Sequence, residues 1–584
     1  SGALALTDNA SLNSSGGTIT LVSGASAPSG TSISLPDTTL VLQNALSLTG
    51  ATLKTKNTTF TTNANALTLS GGILEVAGVQ NLGGVFPDNS TTLRLAANST
   101  ISDNASLSID ITDNLPGSAF TAVGNQSSSS TQQVDKAFDG STSTKYLNPS
   151  GAGSGVIINA GAAYIVDTLG LTTANDVDAR DPTSFTLYGS NDGSSWTSVV
   201  ANESLSPPTS RYSDYDDVSF SNSTAYQYYK LIFETVRGGT GIVQISEIRL
   251  GNVLDAGTLD LANFALTLND AMAGLSIAQP VTLDATGEKI VTGNADLTLN
   301  GGISATAGTL SSSGGLVSAS SLSAGAAGII NFQGGTLALP GGATLASGAS
   351  FSTSNTTLNL GGSLAVADTW TSSTNTNISL TDNASLSGTA QMNLASLQTN
   401  GYDFELASAS SDLTIENAFA LSGGETLSTQ GADLIFASSA DISSGSLLDA
   451  TVSTGTGGKL EFQQGGTASG TINARNATFK IGSAYAVPGT LKTNRDTTWT
   501  LGTVNLDLSG GTLELGGTVV LDQVLTDNLT TFKLGEDATV TRNQGFTLGG
   551  LDLDNSTFTL GSATTDLTID IGDSSDNGTS SASS

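Results

Sequence analysis

Apolar and polar residues alternate along most of the chain. Phrases such as Thr39-Leu40-Val41-Leu42, Asp296-Leu297-Thr298-Leu299 and Thr512-Leu513-Glu514-Leu515 place a large apolar side chain at every second position. A period of two is typical of a strand that buries one face. Turn-forming pairs, among them Gly-Gly, Asp-Asn and Ser-Gly, separate the phrases. The pattern therefore predicts many short β-strands and no helix of convincing length.

The phrases recur, which indicates a repeat architecture. The string DNASL occurs at 8–12, 103–107 and 382–386. Strands this short bury their apolar side when the chain coils and stacks each strand on the one a turn below. About 450 residues at roughly 20–25 per coil predict roughly 20 coils and a rod about 100 Å long. A β-sandwich array and a disordered chain are the alternatives, but aromatic residues are scarce in these regions and the alternation of Leu is persistent.

The composition changes between about Ala119 and Gly251. Eight of the ten tyrosines and seven of the 18 basic residues lie in this stretch. A denser aromatic content indicates a separately folding globular domain. The flanking phrases Ile109-Asp110-Ile111 and Leu259-Asp260-Leu261 return to the solenoid pattern. We therefore expect a module inserted into the rod, with a solenoid over 1–117, the module over 118–252, more solenoid over 253–572 and a flexible Ser-rich tail or linker over 573–584.

The charge and the missing residue types exclude several functions. The 584 residues carry a net charge of −32, and no Lys or Arg occurs between Lys289 and Lys459. Nucleic acid is an unlikely partner because phosphate binding needs a basic face, and no apolar run is long enough for direct membrane insertion. The chain has no Cys and no His, so disulfides, thiolates and imidazole ligands are absent. We expect an extracellular or cell-surface protein, most simply bacterial, seen as a processed product or a piece of something longer.

The solenoid regions resemble the right-handed parallel β-helices of bacterial surface adhesins and autotransporter passenger domains. The module resembles the discoidin, or coagulation factor 5/8 type C, family, which overlaps carbohydrate-binding modules. Three phrases carry that resemblance, in order: VDKAFDG at 134–140, SFTLYGSNDG at 184–193 with Trp196 after it, and YYKLIF at 228–233 leading to ISEIRL at 245–250. Tyr146 stands where the family often has Trp. The resemblance implies a β-sandwich jelly roll of about eight strands, so the predicted fold class is all-β, a right-handed parallel β-solenoid interrupted by this sandwich.

The resemblance also implies a structural calcium site. Bacterial members of the family commonly hold calcium between the first phrase and the late Glu. Calcium prefers six to eight hard oxygen ligands, and a tight loop mixes carboxylates with carbonyls. Carried over to this chain, the ligands are the carboxylates of Asp139 and Glu247, the hydroxyl and carbonyl of Thr144, and the backbone carbonyls of Lys136 and Ser141. A simple turn at Asp139-Gly140 with a surface Glu247 is the alternative.

The ligand site is expected in loops at one end of the sandwich. Aromatic faces stack on sugar rings, and Arg, Asp and Asn side chains bond hydroxyl groups. The candidate residues are Asp178, Arg180, Arg211, Tyr212, Tyr215 and Arg237. Each is equally compatible with a solvated charge or a core tyrosine.

These observations favour a structural and adhesive surface protein, a stalk or fibre that displays a calcium-stabilised module and binds glycans on cells or matrix. A purely architectural filament or surface-layer subunit, self-associating into fibres with the insert making protein–protein contacts, is the alternative. The hypothesis of a polysaccharide lyase or hydrolase has less support than either of these. Pairs such as Asp552/Asp554 sit at even spacing on one strand, as outward-facing positions do, so we expect no enzyme.

Overall fold

The alternating phrases form short strands in a computed structural model of the protein. The structure describes residues 4–6, 10–23, 25–62, 67–83, 85–87, 91–102, 106–109, 119–138, 144–215, 218–222, 224–239, 241–251, 258–269, 272, 274–368, 370–372, 375–388, 391–452, 457–561 and 566–569. Over these ranges the only helices are two 3-10 turns. Neither they nor any other described segment forms a helix long and apolar enough to span a membrane.

The chain divides into two compact units, which are described separately. One comprises Ser1–Val281 with Gly287–Gly302, and the other Thr282–Thr286 with Ile303–Ser584. The strands before the module are β1 (Leu4–Ala5), β2 (Ser11–Asn13), β3 (Gly17–Leu21), β4 (Ala25–Ala27), β5 (Ser32–Pro36), β6 (Thr38–Leu42), β7 (Leu46–Thr49), β8 (Thr52–Lys56), β9 (Thr59–Thr61), β10 (Leu67–Ser70), β11 (Ile73–Asn81), β12 (Val85–Pro87), β13 (Thr92–Ser102) and β14 (Ser106–Ile109).

The module has ten strands and both 3-10 turns. They are β15 (Ala119–Val123), η1 (Val134–Ala137), β16 (Tyr146–Asn148), β17 (Ser154–Tyr164), β18 (Thr168–Thr172), η2 (Asp178–Arg180), β19 (Pro182–Ser190), β20 (Thr197–Ser204), β21 (Val218–Ser219), β22 (Tyr226–Val236), β23 (Val243–Ile245) and β24 (Glu247–Gly251).

The solenoid resumes after the module. Its strands are β25 (Leu259–Asp260), β26 (Ala265–Leu268), β27 (Gly274–Ile277), β28 (Val281–Leu283), β29 (Lys289–Thr292), β30 (Asp296–Leu299), β31 (Ile303–Ala305), β32 (Thr309–Ser312), β33 (Leu316–Ala319), β34 (Leu322–Ala324), β35 (Ile329–Phe332), β36 (Thr336–Leu339), β37 (Ala343–Leu345), β38 (Ser350–Thr353), β39 (Thr357–Leu360), β40 (Ser363–Val366), β41 (Trp370–Ser372), β42 (Asn377–Leu380), β43 (Ala384–Ser387), β44 (Met392–Leu394), β45 (Ser396–Gln398), β46 (Phe404–Leu406), β47 (Leu413–Ile415), β48 (Phe419–Leu421), β49 (Thr426–Ser428), β50 (Leu434–Phe436), β51 (Ala440–Ile442), β52 (Leu447–Asp449), β53 (Lys459–Phe462), β54 (Thr471–Asn473), β55 (Thr478–Ile481), β56 (Tyr485–Ala486), β57 (Thr490–Lys492), β58 (Thr498–Thr500), β59 (Leu506–Asp507), β60 (Thr512–Val520), β61 (Val524–Leu525), β62 (Thr531–Thr541), β63 (Phe546–Leu548), β64 (Gly550–Asp552), β65 (Phe558–Leu560) and β66 (Leu567–Ile569).

Each solenoid strand pairs in parallel with strands one coil away. In the second unit, β33, β36, β39, β42 and β45 form one such ladder, with partners 19 to 21 residues apart along the chain. The central residues of these strands stack as a column, and none of their side chains is more than 4% exposed: Val317, Leu337, Leu358, Ile378 and Leu397. Stacking therefore gives each short strand the apolar neighbours that its own length cannot supply.

The module is an antiparallel β-sandwich. One sheet has the order β15-β17-β22-β19-β20 and the other β21-β18-β24, with β16 and β23 as an additional pair. Phe185, Leu231 and Phe233 of the larger sheet pack with Leu171 and Ile248 of the smaller one in a shared core. The predicted all-β fold, a β-solenoid interrupted by a sandwich, is confirmed. The described residues of the module form ten strands, where about eight were expected.

The coils on either side of the module stack directly on each other. The long strand β13 pairs with β25 and then with β26, and β14 pairs with β27. At this junction Arg94 Nε lies 2.8 Å from Asp260 Oδ2, although the two residues are 166 positions apart in the sequence. The module therefore leaves the solenoid at one corner and returns to it without separating the coils.

The structure also shows a duplication that the sequence patterns did not suggest to us. Residues 32–109 with 258–277, here called the N-terminal block, align with residues 471–569, the C-terminal block. The string TLKT occurs at 52–55 and 490–493, and GGILEVAG at 71–78 aligns with GGTLELGG at 510–517. The strand bounds and burial agree: β11 and β60 share one burial pattern, and so do β13 and β62.

The two blocks share irregular features as well as regular ones. The pairing of β11 with β13 shifts register between Val76 and Gly78, and that of β60 with β62 shifts between Leu515 and Gly517. Lys533 lies 3.8 Å from Asp552, at the positions of the Arg94–Asp260 pair. A shared bulge in shared positions is a conserved device of a fold, so the blocks are two versions of one structural unit.

This comparison locates the insertion point. In the C-terminal block, β63 ends at Leu548 and β64 begins at Gly550, so a single residue, Gly549, makes the connection. In the N-terminal block the equivalent strands end at Ile109 and begin at Leu259. The solenoid strands therefore meet at this corner in the same way whether or not a domain is inserted between them.

We predict that replacing residues 110–257 by one glycine leaves the solenoid folded. The strand pairs on both sides of the corner already exist, and the C-terminal block shows that one residue spans the gap. Far-UV circular dichroism and limited proteolysis of the shortened chain provide the measurement. A deletion of 110–264, which also removes β25 and exposes one edge of the first half of β13, is the matched control and should reduce protease resistance. An unfolded or aggregated short variant would contradict the prediction.

Candidate functional site

Three loops meet at one end of the sandwich. They are the segment 173–181 between β18 and β19, the segment 205–217 between β20 and β21, described to Tyr215, and the segment 237–242 between β22 and β23, described except at position 240. We call them the loop cluster. Backbone hydrogen bonds join them: Arg237 N donates to Asp181 O at 2.9 Å, and Gly238 N donates to Ala179 O at 2.8 Å. Five of the six predicted ligand residues lie on the surface of this cluster.

Arg211 holds two of the loops together. Its guanidinium donates to both carboxylate oxygens of Asp181, at 2.9 and 2.5 Å, and to the carbonyl of Asp176 at 3.1 Å. The Asp181 side chain is fully buried, and the hydrogen bonds to it raise the pKa of Arg211 further above its usual value. A bidentate pair of this kind fixes geometry as well as charge. Arg211 is therefore committed to the loops, and it is not a free sugar-binding group.

Arg237 has a similar supporting role. Its Nη2 donates to the carbonyls of Pro207 and Pro208, the latter at 3.0 Å, and its Nη1 lies 3.5 Å from Asp178 Oδ2. These contacts tie the 237–242 loop to the 205–217 loop. Asp178 is exposed beside them, so its carboxylate remains accessible to a ligand.

Tyr212 and Tyr215 differ sharply in environment. Tyr212 is 52% exposed and its backbone lies in the left-handed region, at φ +57°. Tyr215 is 3% exposed, its hydroxyl donates to Pro182 O at 3.3 Å, and burial raises its pKa far above the usual range. Tyr215 belongs to the core, which is the alternative that the sequence also allowed, and it has almost no exposed surface. Tyr212 is presented to solvent.

The backbone conformation of Tyr212 is held by its neighbours. Ser213 N donates to Thr173 Oγ1 at 2.9 Å, and Thr173 Oγ1 donates to Ser210 O at 3.0 Å. Left-handed backbone at a bulky residue costs of order 1–3 kcal/mol and is found where a site needs one fixed geometry. The backbone at Tyr212 is thus held by hydrogen bonds while its ring is exposed on the loop cluster.

Arg180 and a buried lysine complete the cluster. Arg180 is half-buried at the end of η2, and among the described residues its side chain makes no hydrogen bond or ion pair. Beneath the 173–181 loop, Lys145 Nζ donates to Asp176 Oδ1 at 2.6 Å and to Gln244 Oε1 at 3.2 Å. Burial acts to raise the pKa of Asp176, but the Lys145 ammonium outweighs it and holds that pKa below the usual value.

Sequence reasoning missed the role of Lys145 and Gln244. Lys145 is only 5% exposed, and Gln244 is fully buried and donates to the carbonyls of Asp176 and Val177 at 2.6 and 2.9 Å. A lysine next to the core residue Tyr146 is the available signal, since a lysine is buried only when it is paired. Tyr146 replaces the family's Trp in the core. Its hydroxyl donates to Gly155 O at 2.8 Å, and burial raises its pKa to about 12.

The predicted calcium ligands are only partly described. Asp139 and Ser141 lie outside the described residues. Lys136 is in η1, Thr144 precedes β16, and Glu247 begins β24. Thr144 O accepts a hydrogen bond from Ser246 Oγ at 3.0 Å, which places this carbonyl beside the start of β24. In the described part of the chain no three acidic side chains form a metal-binding group.

The described donors are nevertheless compatible with calcium. The Thr144 carbonyl and the Glu247 carboxylate are hard oxygens from two different segments, and Asp139 follows η1 in the sequence. That mixture of carbonyl and carboxylate oxygen is the type of ligand set that calcium takes. Lys136 Nζ is paired with Asp135 Oδ2 at 3.2 Å, so a contribution from Lys136 would come from its backbone carbonyl.

Comparisons with known proteins concern the module. Residues 120–248 match the F5/8 type C domain family, which confirms the resemblance found in the sequence. No curated protein matches the chain.

Solved structures similar to this chain include the family 32 CBM from C. perfringens NanJ in complex with galactose, at 20% identity over 24% of this chain and 97% of that one, TM-score 0.20. Another is CpGH89CBM32-5 from Clostridium perfringens in complex with GalNAc-β-1,3-galactose, at 17% identity over 23% and 94%, TM-score 0.20. A third is chitosan-binding module 1 from a chitosanase/glucanase of Paenibacillus sp. IK-5, at 22% identity over 24% and 98%, TM-score 0.19.

We predict a large loss of stability when Arg211 is replaced and almost none when Arg180 is replaced. Arg211→Ala leaves the buried Asp181 carboxylate without its partner and should destabilise the module by about 3–5 kcal/mol. Arg180→Ala removes no described hydrogen bond and should change stability by less than about 0.5 kcal/mol. Urea denaturation followed by tyrosine fluorescence compares the two variants. Equal losses of stability would contradict the assignment of Arg211 as the structural arginine.

Proposed function

We propose that this protein is an extracellular, cell-surface structural and adhesive protein, in which a β-solenoid stalk displays a calcium-stabilised glycan-binding module. The observation that carries the proposal is the presentation of Tyr212 on the loop cluster, half exposed and at a positive φ. The F5/8 type C match supports a binding role for the module. The proposal assigns the chain no catalytic activity.

Tyr212 would supply the apolar contact with the ligand. A pyranose ring has an apolar face that stacks on an aromatic ring, and such contacts are worth about 0.5–1.5 kcal/mol beyond the area that they bury. The exposed carboxylate of Asp178 would accept hydrogen bonds from sugar hydroxyls, and the guanidinium of Arg180 would donate them. Arg211, Arg237 and Lys145 would hold these groups in place without touching the sugar.

Calcium would fix a part of the module that adjoins the loop cluster, since Glu247 pairs with Thr172 at the start of the 173–181 loop. Bound by Asp139, Thr144 and Glu247, with carbonyl oxygens of Lys136 and Ser141, it would join the loop after η1 to the start of β24. A ligand set that brings separate segments together adds its binding free energy to the stability of the folded state. The ion would have a structural role, and sugar would bind at the loop cluster.

The surface location is supported by composition. The chain combines a net charge of −32 with no Cys and a polar Ser, Thr and Asn surface. Mutual repulsion keeps such a surface soluble and discourages contact with anionic polymers. Neutral glycans on another cell or in a matrix are therefore the partners that we propose.

We predict that Tyr212→Gly lowers glycan affinity about tenfold or more while leaving the thermal stability of the module unchanged or higher. Glycine relieves the left-handed backbone, and the lost ring contact of about 1.4 kcal/mol corresponds to tenfold in affinity. A glycan array with the full chain identifies the sugar, and calorimetric titration measures its affinity. Tyr164→Ala, which removes an exposed tyrosine outside the loop cluster, is the control. Silence across the array would favour the filament alternative, in which the insert contacts protein.

We predict that Asp139→Ala lowers the melting temperature of the module in millimolar calcium and has little effect in a chelator. Calcium at 100 times its dissociation constant stabilises the folded state by about 2.7 kcal/mol. A variant that cannot bind calcium lacks this stabilisation. Differential scanning calorimetry of the full chain in the two buffers is the measurement. Asp135→Ala, an exposed neighbour paired with Lys136, is the control. A loss of equal size in both buffers would mean that Asp139 is a turn residue and not a calcium ligand.

A further inference from the structure

The second solenoid unit has a surface groove that the proposed module function does not involve. Its volume is about 400 Å³, and the residues that shape it include Trp499, Leu501, Thr518, Val520, Asp522 and Gln523. They come from β58, the end of β60 and the turn before β61. All lie in described parts of the chain, far in sequence from the module.

An uncovered aromatic ring lies at the side of this groove. Four aromatic rings follow one another from coil to coil, with successive centroids 5.2, 6.0 and 5.8 Å apart: Phe436, Phe462, Phe479 and Trp499. The first pair is stacked, the second is tilted, and Trp499 meets Phe479 edge to face. The three phenylalanines are buried, but Trp499 is only partly buried. The ladder of strands that carries these rings ends at β58 among the described residues. No further described strand of the ladder covers Trp499, and the groove occupies that place.

Polar groups lie next to the ring. The carboxylate of Asp522 is oriented by Asn543, whose backbone N and Nδ2 donate to it at 2.7 and 2.8 Å. Each carboxylate oxygen keeps a free lone pair for a ligand hydroxyl. In the described residues, the indole N–H of Trp499 is buried without an acceptor, and the side-chain amide of Gln523 makes no hydrogen bond. Because the indole N–H is shielded from solvent, the groups that the groove offers to a ligand are the edge of the Trp499 ring, the Asp522 carboxylate and the Gln523 amide.

The duplicated block shows that the solenoid fold does not require these residues. At the positions of Trp499, Asp522 and Gln523 the N-terminal block has Phe60, Gly83 and Gly84. Both blocks build the same strands at these positions, β9 and β58 for the aromatic residues. The larger ring, the carboxylate and the amide are therefore additions to a framework that folds without them.

We propose that this groove is a second glycan-binding site, located on the solenoid and specific for a neutral pyranose within a polysaccharide. An aromatic ring beside a few oriented polar groups is the general design of a sugar site. The lining contains Asp522 and no lysine or arginine, so an acidic sugar would be repelled. The site would give the stalk a contact with polysaccharide that is independent of Tyr212 and of calcium.

The protein's tryptophans make the site directly measurable. The chain has three, Trp196, Trp370 and Trp499. In a full-length Trp196→Phe variant, emission comes from Trp499 and from Trp370, which is 3% exposed and hydrogen-bonded through its indole to Thr353. The probes are cellohexaose, laminarihexaose, mannohexaose and galactohexaose, with hexagalacturonate as an acidic comparison. We expect at least one neutral hexasaccharide to shift the emission saturably, and hexagalacturonate to leave it unchanged.

Three variants identify the site. Asp522→Ala changes an exposed side chain and should weaken that binding at least tenfold. Phe60→Ala in the N-terminal block and Tyr212→Gly in the module should leave it unchanged. No saturable shift with any neutral hexasaccharide would overturn the proposal, and so would equal binding by the Asp522→Ala variant. Loss of binding in the Tyr212→Gly variant would also overturn it, because the sugar would then be bound by the module. If the array detects no sugar whose binding depends on Tyr212, the proposed function of the module fails while these expectations are unchanged.

Discussion

The parallel pairing of each coil with the next is the constraint on which the rest of the structure depends. A strand such as β39 has four residues and cannot form a core by itself. Its carbonyl and amide groups bond to strands one coil away, and Leu358 lies between Leu337 and Ile378 of the adjacent coils. Because the apolar neighbours come from the stack, each coil needs only alternation and a constant length. Corner residues have no such requirement, which leaves the corners free to vary.

That freedom explains how a β-sandwich is accommodated within a β-solenoid. The closure of the solenoid depends on β13 meeting β25 and β26, and the Arg94–Asp260 ion pair adds to this contact across the junction. The C-terminal block makes the same closure with Gly549 alone. The sheets of the module are antiparallel and its core is rich in aromatic residues, so its packing does not depend on the length of a solenoid coil. Two folding principles coexist in one chain because they are joined at a single corner.

Alternation allowed the strands and the solenoid to be predicted, and three phrases allowed the module's fold to be predicted. The duplication escaped detection because its blocks are separated by most of the chain and agree mainly at apolar and turn positions, which every coil shares. At the candidate site, the family resemblance led us to expect Arg180, Arg211 and Tyr212 in loops at one end of the sandwich, but it could not distinguish Tyr212 from Tyr215. Both tyrosines are in one loop, and only tertiary packing turns Tyr215 towards Pro182. Lys145 was missed because its partners, Asp176 and Gln244, are distant in sequence.

The loop cluster and the solenoid groove use the same physical solution. In each, the framework presents an aromatic residue partly to solvent. A hydrogen bond between Ser213 and Thr173 holds the backbone next to Tyr212, and the ring of Phe479 contacts that of Trp499. Charges that could compete for a ligand are already paired, as in Arg211 with Asp181. The two blocks show the separation most clearly, since Phe60 and Trp499 occupy equivalent strands with different neighbours at the adjoining turn. The positions that the two blocks share stabilise the solenoid fold. The positions at which the blocks differ are available for ligand specificity.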